Sequence, residues 1–81
     1  MYQTIDETIE VLGSYLKTGF KPLRFKWRTR VYPVEQVTLI TETKNAGVRG
    51  RIYSVVSKGN VYRIYFNRDL ETWSLQEVWC E

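Results

Sequence analysis

The chain has 81 residues, of which 43% are hydrophobic and 26% charged, and carries a formal net charge of +3. That length allows one domain, and the composition excludes a disordered chain, which needs low hydrophobicity and high net charge. No run approaches the roughly 20 apolar residues of a membrane helix, and the opening residues Met1–Glu7 lack the basic and apolar regions of a signal peptide.

Residues 4–18 read two ways. Ile5, Ile9, Leu12 and Leu16 fit a helical stripe, with Thr4-x-x-Glu7 as a capping box, which would make the fold α+β. Against this, Thr8-Ile9-Glu10-Val11 alternates as a half-buried strand does, and Gly13 would cost a helix about 1 kcal/mol. Thr18-Gly19-Phe20-Lys21-Pro22 predicts a turn. Leu23 to Trp27 alternates, with Leu23, Phe25 and Trp27 on one face and Arg24 and Lys26 on the other. Arg28-Thr29 is either a two-residue hairpin turn or a continuation of that strand. Val31–Val34 and Val37–Thr41 are rich in β-formers. Pro33 cannot donate to a ladder, so it belongs at an edge or a bulge.

Residues 43–50 read as a loop, marked by Asn45, Gly47 and Gly50. Arg51–Ser57 and Val61–Asn67 are strands joined by Lys58-Gly59-Asn60, a hairpin connection that tolerates positive φ. Tyr62, Ile64 and Phe66 share one face; Val61, Arg63 and Tyr65 share the other. Asn67 to Glu71 is a turn. Trp73, Leu75, Val78 and Trp79 lie on a last strand whose phase slips at Gln76-Glu77, as at a bulge. The expected fold is all-β: a small antiparallel meander of five to six strands, curled into a partly closed barrel that protects its edges. Its core is Phe25, Trp27, Tyr32, Val34, Tyr62, Ile64, Phe66, Trp73 and Leu75.

The chemistry available is narrow. There is no histidine, so the commonest general base and metal ligand are missing. Cys80 is the only cysteine; it allows neither an internal disulfide nor the usual zinc ligand set, and it suits a reducing cytoplasm. The glycines form no phosphate-cradling motif. Asp6-Glu7 and Asp69-x-Glu71 are carboxylate pairs, but Asp69 sits where a turn favours aspartate for its own hydrogen bonding. No catalytic residue, metal or cofactor is expected.

Charge distribution carries the functional content. Residues 1–16 hold three acids and no base, whereas residues 17–30 hold six bases and no acid. Arg24 and Lys26 stand opposite Phe25 and Trp27, and Arg28 and Arg30 follow on the same face or at a hairpin tip. Cations on a stiff strand meet phosphates at little entropic cost. Arg51, Arg63 and Tyr65 could extend the surface, with Tyr65 or Trp79 stacking on bases. Outward Lys and Arg also serve solubility and edge protection alone. The expected partner is single-stranded DNA or RNA. The alternative is a protein partner, held by an exposed edge strand or a groove near Trp79. Oligomeric state is left open.

The stretch Phe25-x-Trp27-Arg28-x-Arg30-x-Tyr32-x-Val34-x-x-Val37 resembles the opening of an uncharacterised family of short bacterial domains. Arg51-x-Tyr53-x-Val55, Val61-Tyr62-x-Ile64-x-Phe66 and Trp73-x-Leu75-x-x-Val78-Trp79 resemble its later pieces, and Thr8-Ile9-Glu10-Val11 its first strand, so the likeness spans residues 7–79. It implies an all-β fold, a strand over residues 8–16 and a tight turn at Arg28-Thr29. The family usually has glycine where Thr29 stands, which leaves the turn type open. Some relatives occur near translesion DNA polymerases, an association that implies DNA without a mechanism.

Overall fold

At the start of the chain, alternation wins over the helical stripe. The computed structural model describes residues 2–80, and Tyr2–Leu16 is a single strand, β1. Gly13 shows why. A Cβ there would run into the Phe20 ring and the Lys21 carbonyl, because the neighbouring strand lies directly against it. Six further strands follow: β2 (Gly19–Trp27), β3 (Arg30–Pro33), β4 (Gln36–Asn45), β5 (Val48–Ser57), β6 (Asn60–Asn67) and β7 (Thr72–Trp79). No helix occurs among the described residues.

All pairings are antiparallel, in the order β3-β2-β1-β7-β6-β5-β4. The long β1 changes partner midway, pairing through Tyr2 to Ile9 with β7 and through Glu10 to Leu16 with β2. A bulge lies in its first half, where the register slips between Thr4 and Glu7 and Asp6 takes a φ of 53°. Gln76 is the extra residue of β7 against β6, as the phase slip in the sequence predicted.

Three expectations need correction. The sheet has seven strands rather than five to six, because Pro33 ends β3 and the next strand lies at the other edge. The turn expected at residues 18–22 is shorter: Leu16 pairs with Gly19, and Pro22 is buried within β2 beside the register slip at Leu12/Gly13, a bulge where its missing N–H is tolerated. The loop expected over residues 43–50 is a hairpin. β4 and β5 pair up to Asn45↔Val48, and Ala46 and Gly47 both take positive φ, the signs of a type I′ turn.

The turn between β2 and β3 holds Arg28 and Thr29, with Trp27 paired to Arg30. Arg28, not Thr29, takes the positive φ, at 60°. That is the sign pattern of a type II′ turn.

The ladder does not close into a barrel: β3 and β4 are both edges. The sheet still folds over itself. Val34 N–H donates to the Leu23 carbonyl on β2, while the next residue, Glu35, donates to the Val56 carbonyl on β5, both at 2.8 Å. Between the layers lie Ile9, Phe25, Tyr53, Val55, Tyr62, Ile64, Leu75 and Val78, all buried. Phe25 of β2 meets Tyr62 of β6 edge-on at 5.2 Å. Trp27, Tyr32, Val34, Phe66 and Trp73, expected in the core, are only partly buried and pack around it.

Candidate anion-binding face

The bulge at Pro22-Leu23 sets which β2 side chains share a face. Lys21 pairs with Ser14, Arg24 with Leu12 and Pro33, and Lys26 with Glu10 and Val31. Pro22 and Phe25 point inward and are buried, so Lys21, Arg24 and Lys26 stand outward on one strand, all exposed. None of the three forms an ion pair among the described residues. Glu10 faces Lys26 across the ladder without reaching it at ion-pair distance. Leu12 and Val31 are half exposed beside them, and a shallow depression of about 270 Å³ runs over Glu10, Leu12, Arg24, Lys26 and Val31.

Arg28 is committed elsewhere. Its Nη2 and Nε donate to the two Glu7 carboxylate oxygens at 2.8 and 3.2 Å, and Trp27 Nε1 donates to the same carboxylate at 3.0 Å. The guanidinium lies 4.7 Å from the centre of the Trp27 ring. These bonds, Arg28 first and Trp27 second, hold the Glu7 carboxyl below its ordinary pKa. Arg30 is opposite Trp27 in register, so it shares that ring's face and stands on the other side of the sheet from Lys26. It is exposed and forms no ion pair among the described residues.

The other expected residues lie apart from this face. Arg51 binds Glu42 at 2.7 Å and the Tyr53 hydroxyl at 3.3 Å; Arg63 binds Glu77 at 2.6 Å, and Tyr2 donates its hydroxyl to the same carboxylate. The Tyr65 ring covers Gly50, where any Cβ would strike it. Trp79 is half exposed, its ring tilted against Tyr2 at 5.0 Å. The structure therefore brings Arg24 and Lys26 together; Arg28 lines a neighbouring depression with Lys26, its charge taken up by Glu7, and Arg30, Arg51, Arg63, Tyr65 and Trp79 are not gathered around them. It adds Lys21, which the sequence reading placed in a turn. Pro22, read as a turn marker, hid the strand that Lys21 belongs to.

The acidic turn is structural in its contacts. The Asp69 carboxylate accepts the Arg49 backbone N–H at 3.0 Å, and Glu71 takes a φ of 56°. Comparison with family models, curated proteins and solved structures returns no match for this chain.

Proposed function

We propose that the protein is a non-catalytic binding module that holds the phosphate backbone of a nucleic acid on the outer face of β2. The observation that carries this is the row Lys21, Arg24 and Lys26, exposed on one strand with no ion-paired carboxylate among the described residues. Five arginines elsewhere, Arg28, Arg49, Arg51, Arg63 and Arg68, are neutralised by acids. The scaffold in this reading is a partly closed barrel, its layers tied by the hydrogen bonds of Val34 and Glu35. A single cysteine and no disulfide suit a reducing cytoplasm.

No aromatic platform lies on this face, so bases are not read. Three phosphate contacts to a single strand give a slope of about −2 in log K against log salt, a roughly 20-fold loss from 50 to 200 mM. Fluorescence anisotropy with labelled single-stranded DNA and RNA homopolymers tests this. All should bind alike at low salt, and Arg24→Glu with Lys26→Glu should abolish binding, whereas Arg30→Glu should change it little. No binding at low salt, or equal binding by the double variant, overturns the proposal.

A further inference from the structure

The unclosed seam of the sheet supports a second activity, at a site that shares Lys21 with the basic face but neither Arg24 nor Lys26. β3 pairs with β2 only from Arg24 to Trp27, so Gly19 to Pro22 pairs with β1 alone. β4 is the opposite edge and pairs only with β5. One open groove of about 520 Å³ separates these two edges, lined by Leu16, Phe20 and Pro22 on one wall and Val37 and Ile40 on the other. Ile40 lies in register with the buried Tyr53, which places it on the inner face, yet it is 52% exposed because nothing covers it. Gln36 to Thr41 carries no charge. Edge strands are ordinarily blunted by lysine, proline or cover; β4 carries a lysine only near its far end, at Lys44, and apart from one bulge at Val37/Leu39 it is regular.

We infer that the seam takes one extended segment of a partner protein, added as a strand along β4, with apolar side chains at alternate positions and carboxylates between them. The β4 main chain supplies hydrogen bonds, and Leu16, Phe20 and Ile40 receive the alternate side chains. Acidic character follows from the rim. Lys21 lines the groove and Lys17 sits between the lining residues Leu16 and Thr18, both lysines without an ion pair among the described residues. The one acid on the rim, Glu35, already accepts the Lys58 backbone N–H at 2.8 Å. A second copy of this chain does not fit. Its β4 would bring β5 behind it, and the β2 wall stands in that place.

A suitable probe is an eight-residue peptide alternating valine with aspartate or glutamate, titrated into the ¹⁵N-labelled chain. The expected result is saturable binding with amide shifts confined to residues 16–22 and 35–45. Ile40→Lys should weaken it at least ten-fold, as should replacing the peptide's acids with lysine. Arg24→Glu with Lys26→Glu should leave it unchanged, which separates this site from the phosphate face. Shifts centred elsewhere, no saturation at millimolar peptide, undiminished binding by Ile40→Lys, or self-association through β4 would each overturn the inference. Because Ile40 is half exposed, the variant's own spectrum reports directly whether it is folded.

Discussion

Glu7 shows how a single side chain fixes the hairpin tip. Its carboxylate gathers Trp27 and Arg28 from a strand that it does not pair with. Because the folded-state pKa is depressed, this contribution is present above the ordinary glutamate pKa and lost as pH falls through the lower, folded value. Glu7→Gln should therefore flatten the acid limb of stability. Urea midpoints measured between about pH 7 and pH 3 should fall less for the variant than for the parent. None of this was legible in the sequence. The run of bases at residues 17–30 was plain, but the acid that neutralises Arg28 within it is remote in sequence: Glu7 is 21 residues from Arg28. Arg24 and Lys26, whose outward direction follows from the buried Phe25 between them, and Arg63 between the buried Tyr62 and Ile64, behaved as period-two alternation requires. The glycines divide in the same way. At Gly50 the obstacle is the end of a tyrosine side chain, which can swing aside; at Gly13 it includes the Lys21 backbone carbonyl. Gly13→Ala should cost about 2–3 kcal/mol and Gly50→Ala clearly less, by the same urea measurement.

Among the elements, glycine at the second turn position revealed a hairpin only where clear strand patterns flanked it. The connection Lys58-Gly59-Asn60 was read as a hairpin, one residue too long because Asn60 pairs with Ser57, whereas Ala46-Gly47 was lost inside a polar run that turned out to be two exposed strand ends. Strands near an edge carry polar residues on both sides, so their sequence looks like a loop. β1 was ambiguous because the bulge at Asp6 breaks its alternation and its two halves serve different partners. The Ala46-Gly47 turn offers a clean test of the backbone argument. Ala46 takes a φ of 51°, a region that costs most L-residues about 1 kcal/mol or more and asparagine less. Its side chain is exposed, so little else changes on substitution. Ala46→Asn should stabilise the protein by about 0.5–1 kcal/mol. In a domain of this size each kcal/mol raises Tm by roughly 4–8 °C, which calorimetry resolves.

At the scale of the whole molecule, the sheet is a meander cut at an unusual place. Read from the other edge, the order is β4-β5-β6-β7-β1-β2-β3, so every ladder joins sequence neighbours except β7 with β1. That one ladder unites the two ends of the chain, pairing Tyr2 with Trp79 and Ile9 with Trp73. It buries Leu75 between β1 and β6 and cannot begin until the whole chain is in play. Loop-closure entropy makes such a pairing slow, and folding rates fall as contacts become more distant in sequence. The connection between β3 and β4 carries no ladder, only the bonds of Val34 and Glu35. A circular permutant that joins the present ends by a short linker and opens the chain between Val34 and Glu35 converts every pairing into a hairpin. It should keep the same sheet, seen as the same amide spectrum outside the junctions. It should refold at least ten-fold faster in stopped-flow tryptophan fluorescence, with Trp73 beside the joined ladder as reporter. A permutant that folds correctly at the parent's rate would show that pairing of the chain ends is not the slow step, and that the barrier lies in folding the two layers onto Phe25 and Tyr62.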